Sequence, residues 1–216
     1  MYRRLCILVA VLALVSMACG VTVNVPVGEV TTGPTQTQEI RVAEPDASVA
    51  NVTIAFGAGK LKLAPGAVGA LISGEAEFNV EDFRPVVKIE EDEIILKTGD
   101  LELNGIPNLG DNIENSWDLG LSEMPMGLSI NAGAYEGRFE FGGLALKSLD
   151  IADGAADVRL QFSEPNKAEM DVLRYVTGAS NVKLEGLANA NFTSMIFRSG
   201  MRFHTRTTVS SRLPTS

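Results

Sequence analysis

GAYEGRFEFGGLALKSLDIADGAADVRLQF, residues 133–162, carries a Gly-Ala pair at two points that lie 21 residues apart. The pair returns 24 residues later at Gly178-Ala179, and Gly200 follows after another 22. Each pair leads into a stretch of alternating apolar and polar residues, which is typical of a half-buried β strand. Because glycine adopts backbone angles that other residues avoid, we expect each pair to turn a corner between two strands.

A period of this length provides two short strands and two corners per coil. Stacked coils would pair equivalent strands and bury Leu, Val and Phe side chains between them. The sequence therefore predicts an all-β fold, a β-solenoid of parallel β-helix-like coils over residues 117–200. An antiparallel β-sandwich with glycine-rich turns is the alternative.

The region before these coils also has a β pattern. We predict an N-terminal β module over residues 39–97, in which Gly57-Ala58-Gly59 is an earlier copy of the corner. Within it, two apolar stretches flank the acidic residues 90–93 and predict a hairpin whose turn lacks the spacing of a calcium loop. Residues 98–116 are rich in Asn, Gly and Asp and predict a polar surface loop. Trp117 is expected to anchor a strand's buried face, with a ligand platform as the alternative.

The chain opens with the features of a bacterial lipoprotein signal. A basic segment, residues 1–4, precedes an apolar run at 5–15, and Cys19 follows small residues. The run is about half as long as a membrane-spanning helix, which suits a secretory signal. We expect residues 1–18 to be cleaved off and diacylglycerol and palmitate to be attached to Cys19. A plain cleaved signal and an uncleaved anchor are the alternatives, and residues 19–38 are predicted to be a flexible tether.

Composition narrows the classes of function. Lys and Arg total 18 against 27 Asp and Glu, a net charge of −9, and loss of Arg3 and Arg4 with the signal makes the exported chain still more acidic. Such a chain is not expected to bind nucleic acid. With one histidine and two cysteines, Cys6 and Cys19, it is also not expected to hold a metal or to form a disulfide scaffold. No cofactor is predicted.

The C-terminal stretch 201–216 is atypical. It contains three arginines and His204 but no acidic residue, and it lacks the alternating apolar strand that a further coil needs. A natural basic tail and a truncated or frame-shifted end of another coil both remain open. An uncapped solenoid end exposes unpaired strand edges, so we expect self-association through that end.

Several of these motifs resemble one family. Gly57-Ala58-Gly59-x-Leu61, Trp117-Asp118-Leu119-x-Leu121 and the Gly-Ala coils look like bacterial toast-rack proteins, whose C-terminal half is similar to cell-wall-active antibiotic response proteins. The resemblance covers roughly residues 40–200. It implies a β-solenoid envelope protein with no established catalytic role, and it supplies no active-site residues. Tyr135, Ala156 and Ser180 depart from it, because the family often has a second glycine there.

The function predicted is that of a non-enzymatic lipoprotein, exported and membrane-anchored at the cell surface or envelope, whose solenoid serves binding, sensing or adhesion. Its expected partners are membrane lipid, through acylated Cys19, and an envelope protein or glycan. A purely structural spacer and a polysaccharide-active β-helix enzyme are the alternatives. An enzyme would need converging carboxylates, and the best cluster is Asp150, Asp153 and Asp157, which corner geometry already explains. No catalytic residue is predicted.

Overall fold

The computed structural model describes residues 32–90, 93–99 and 113–200. In these residues the chain forms eleven β strands. They are β1 (Gln36–Val42), β2 (Ala50–Pro65), β3 (Ile72–Phe78), β4 (Pro85–Glu90), β5 (Glu93–Thr98), β6 (Asn115–Leu121), β7 (Met126–Glu140), β8 (Leu146–Gln161), β9 (Met170–Thr177), β10 (Asn181–Glu185) and β11 (Phe192–Ser199). Two short 3-10 helices lie at Glu81–Phe83 and Leu187–Asn189, and no helix in the described part is long and apolar enough to cross a membrane.

Parallel coils form the body of the structure. The long strands β2, β7 and β8 lie side by side in register, and each continues through a Gly-Ala corner. We call the strand parts before the corner the first half-sheet and those after it the second half-sheet. The fourth coil places β9 in the first half-sheet and β10 in the second, and β11 pairs with β9 to begin a fifth. The predicted β-solenoid is confirmed.

The corner glycines form a ladder through the stack. A methyl group added to Gly133 would lie 2.4 Å from the carbonyl oxygen of Gly57, and one on Gly178 equally close to that of Gly154. None of these glycines is among those with a positive φ in the described residues. For the glycines of the Gly-Ala pairs the expected reason was therefore wrong: they are needed because successive backbones approach too closely for a side chain. Gly59, at the end of the first corner, does have a positive φ of 125°.

The N-terminal module extends the same stack. Strands β5 and β6 run parallel to the two parts of β2 and together form a coil on its other side. Beyond that coil the pairing becomes antiparallel. Strand β4 pairs with β5, β3 pairs with β6, and β1 pairs with β3. The β4–β5 pair is the hairpin that the sequence predicts. One solenoid end is thus built from antiparallel strands, which makes the sheet mixed.

The core lies between the two half-sheets, where inward side chains stack from coil to coil. Ile54, Ile130 and Ile151 occupy one register row and are fully buried. Trp117 is 1% exposed and packs edge-on against Phe56 with 5.1 Å between ring centroids. The tryptophan is therefore the predicted anchor of a buried strand face, and the platform alternative does not hold.

Several sequence boundaries shift in the structure. Strand β1 begins at Gln36, within the stretch assigned to the tether, and Thr98, Asn115 and Ser116 are strand residues within the stretch assigned to the polar loop. The signal, Cys19 and the tail 201–216 lie outside the described residues, as do residues 100–112.

Candidate functional site

The three aspartates that formed the best carboxylate cluster in the sequence have separate partners. Asp150 pairs with Arg174 at 3.1 Å on the outer surface, whereas Asp157 contacts Arg138 and Asn181, each at 2.9 Å. Asp153 points toward the interior. No group of three or more His, Cys, Asp or Glu side chains in the described residues could hold a metal ion.

Asp153 is the centre of a polar cluster at the inside of the corner. Its carboxylate accepts hydrogen bonds from the hydroxyls of Tyr175 at 2.6 Å and Ser180 at 2.9 Å. Thr177 donates a third, and Tyr135 a longer fourth at 3.4 Å. Four hydroxyl donors satisfy the carboxylate, so this cluster is a closed network rather than a site with open coordination.

Two of the residues that contribute hydroxyls to that cluster stand at positions where this sequence departs from the family pattern. Tyr135 stands in register with Gly59, the second glycine of the first corner, and Ser180 holds the corresponding place after Gly178-Ala179. Both side chains reach Asp153 from neighbouring coils. Replacing a glycine by a hydroxyl-bearing residue at these corners therefore adds a polar link between the second, third and fourth coils.

The pKa values of both tyrosine hydroxyls in this cluster are raised. Burial, together with the charge of Asp153, raises the pKa of the Tyr135 hydroxyl well above its ordinary value of 10.0. Burial raises the pKa of Tyr175 further, with added contributions from Tyr135 and from the hydrogen bond to Asp153. Both hydroxyls therefore stay protonated at neutral pH and act as donors.

A column of cations crosses the outer surface of the second half-sheet. Lys62, Arg138, Arg159 and Lys183 occupy successive register positions, one per coil. All four side chains are about half exposed. Adjacent strands are about 4.8 Å apart, so the column presents positive charges at a regular, short spacing.

Acidic side chains flank this cation column. Lys62 pairs with Asp118 at 2.7 Å, and Arg138 lies between Glu136 at 2.7 Å and Asp157 at 2.9 Å. Hydrogen bonds from Asn181 and then Arg138 lower the pKa of Asp157. The result is a surface on which each of these two cations is held in a defined position by carboxylates.

The Glu185 carboxylate completes these rows at the last coil. It lies 2.5 Å from Arg159 and 3.0 Å from Lys183. Hydrogen bonding to Lys183, followed by that to Arg159, lowers the pKa of Glu185. Two members of the cation column are therefore oriented by one carboxylate.

The cation column has a signature in the sequence that alternation of apolar and polar residues does not reveal. Each cation stands five residues after a corner glycine: Lys62 after Gly57, Arg138 after Gly133, Arg159 after Gly154 and Lys183 after Gly178. Alternation alone places these residues on an outer face. The common offset from the corner is what places them in one row.

The first half-sheet has a different outer surface. Ala55, Asn131 and Ala152 share a register row beside the glycine corner and line a shallow groove of about 490 Å³ together with Lys97. Its lining is mostly small and uncharged. A second cleft of about 450 Å³ near Asn115 is more polar, with Lys60, Glu77 and Glu114 in its wall.

Comparison with known proteins agrees with this architecture. The model of the N-terminal domain of toast_rack, DUF2154, matches residues 31–185. The crystal structure of a Clostridium sporogenes protein with a proposed role in cell adhesion is similar to this chain. The TM-score is 0.65 and the sequence identity is 17%, over 77% of this chain and 96% of that one. At that identity the likeness shows the fold alone.

A proposed adhesin from Bacteroides fragilis is 6% identical over 76% of this chain and 93% of that one. Its TM-score of 0.21 is too low to say anything about this chain. No curated protein sequence matches.

Proposed function

Because the chain belongs to the toast_rack family, we propose that it is a non-enzymatic, adhesion-like protein of the cell envelope, anchored through a lipid on Cys19. Its ligand-binding surface is the cation column of the second half-sheet, and its ligand is a linear envelope polymer, such as a glycan with anionic groups. The regular column is the observation that carries this proposal.

Repetition is the physical basis for a polymeric ligand. Four successive coils place a cation at the same position, so a chain of repeating groups can make an equivalent contact with each of them, whereas the β5–β6 coil carries Asp118 there. Contacts to half-exposed, ion-paired cations are individually weak. Four in a row act together, because the second and later contacts form at high effective concentration.

The column is tested by charge removal. The triple variant Arg138→Gln, Arg159→Gln and Lys183→Gln is compared with Lys88→Gln, Lys147→Gln and Lys167→Gln, which removes three exposed cations elsewhere. Binding of the full-length protein to purified envelope polysaccharide should weaken at least about tenfold in the first variant and change little in the second. Equal binding by both variants would refute the column as the binding surface, and no binding by the unaltered protein would favour a spacer role.

Anchoring is supported by the N-terminal sequence, in which a basic segment and an apolar run precede Cys19. Acyl chains on Cys19 would each contribute about 0.8 kcal/mol per buried methylene, and more than one chain makes the attachment stable. Metabolic labelling with palmitate should mark the protein, and Cys19→Ala should lose both the label and the membrane fraction. A labelled Cys19→Ala variant would contradict lipidation at this residue.

A further inference from the structure

The two ends of the solenoid differ. Among the described residues, β10 pairs only with β8 and β11 pairs only with β9, so both strands present an edge at the C-terminal end. Unpaired N–H and C=O groups on such edges are a template for another strand.

The described residues also cover the apolar interior less completely at that end. Phe197 and Met195 of β11 are only half-buried, although the residues at the same register in β9, Tyr175 and Leu173, are fully buried. In the second half-sheet Val182 is half-buried, whereas Val158 beside it in the preceding coil is 1% exposed. The exposed side chains belong to the core row itself, so burying them is favourable.

The opposite end also has edge strands, β1 and β4, but they are antiparallel to their neighbours. There Gln38 of β1 donates to the carbonyl of Pro85 in β4 at 3.2 Å and links the two half-sheets. The edge strand β1 carries Glu39 and Arg41, which discourage pairing with another chain. Strand β4 exposes three apolar residues, Val86, Val87 and Ile89, of which Ile89 is the most exposed.

The sequence of residues 201–216 does not suit the next strand position of the second half-sheet. In the described coils the inward positions of the second half-sheet are the fourth and sixth residues after the corner glycine, as at Leu61 and Leu63 or Val158 and Leu160. After Gly200 those offsets fall on His204 and Arg206. Placing such residues in the apolar interior without partners is costly.

We propose that a second copy of the chain covers this end. Among the described residues the fifth coil is half complete, because β11 extends the first half-sheet one strand beyond β10 in the second. A two-fold axis through the corner places the partner's β11 antiparallel to β10 and fills the missing half, and the reciprocal pairing follows. Two apolar ends are thereby buried in one closed, isologous interface.

Two lysine substitutions distinguish this interface from other arrangements. Met195→Lys adds a charge at the C-terminal end, and Ile89→Lys makes a similar change on the edge strand of the other end. The full-length protein in detergent should be dimeric by sedimentation. Met195→Lys should weaken the dimer at least about tenfold, whereas Ile89→Lys should leave it unchanged.

Three results would overturn the proposal. The first is a monomeric full-length protein. The second is loss of the dimer in Ile89→Lys, which would indicate head-to-tail stacking. The third is association only after removal of residues 201–216, which would show that the tail covers the end.

A cysteine crosslink tests the same interface without adding a charge. The two-fold arrangement brings Ser199 of each copy to a shared corner, so Ser199→Cys should give a crosslinked dimer in membranes with a short bifunctional thiol reagent. Ser73→Cys, in the antiparallel region at the other end, serves as the control. Equal crosslinking at both positions, or none at Ser199→Cys, would contradict the interface.

Discussion

Gly133 lies so close to Gly57 that a methyl group on its Cα would be 2.4 Å from the Gly57 carbonyl oxygen. The contact joins coils formed by β2 and β7, strands separated by about sixty residues of sequence, and the same relationship recurs at later corners. The spacing between coils is therefore set at the corners by backbone contact.

Gly133→Ala should destabilise the fold. The added methyl would collide with backbone atoms that cannot rotate away, so we expect a loss of about 2–3 kcal/mol in the free energy of unfolding. Gly200→Ala is the matched control, because its methyl would lie 3.5 Å from its nearest neighbour in the ladder, and its effect should stay within about 0.5 kcal/mol. Urea denaturation measures both, and similar losses would show that steric approach is not the reason for the ladder.

Asp153→Asn should also destabilise the fold. The asparagine amide keeps one acceptor oxygen but has an NH2 donor in place of the other. Hydroxyls that donated to that oxygen lose their acceptor, so we expect the free energy of unfolding to fall by about 1–3 kcal/mol. Asp150→Asn makes the same change in the same strand at an exposed ion pair and should cost no more than about 1 kcal/mol. If the two variants unfold at the same urea concentration, the interior cluster contributes nothing beyond a surface pair.

Stability should fall at alkaline pH. The pKa values of Tyr135 and Tyr175 are raised in the folded state, so their contribution is fully present below pH 10, where unfolded tyrosines begin to ionise, and is lost as pH rises above it. Two such groups give a maximum slope of about 2.7 kcal/mol per pH unit. Urea unfolding between about pH 8 and 11 measures it, and Tyr175→Phe should halve the slope. An unchanged slope in that variant would contradict the assignment.

Trp117 should report on the core. Since the indole is buried against Phe56, we expect blue-shifted fluorescence that iodide quenches only after unfolding. Trp117→Ala should cost about 3–5 kcal/mol, whereas Trp117→Phe should cost less because the ring still fills most of the space. Ready quenching in the native protein would place the tryptophan at the surface instead.

Particular elements show how far sequence reasoning reached. The repeat of Gly-Ala pairs predicted the coils, because spacing along the chain reports directly on a structure that repeats along the chain. The coil formed by β5 and β6 was missed, because its two strands are separated by a polar stretch and look like unrelated elements. Likewise Asp153 resembled its neighbours Asp150 and Asp157 in sequence, although its side chain alone points inward.

The sequence by itself indicated the alternating β pattern, the corner positions and the basic, apolar and cysteine-containing features of the N-terminus, since these depend on neighbours along the chain. Only the tertiary structure decided which residues share a row, as in the column from Lys62 to Lys183, and which end of the stack leaves its core open. The physical reason is that alternation fixes the face on which a side chain lies. Its neighbours across coils depend on hydrogen-bond register between strands that are distant in sequence.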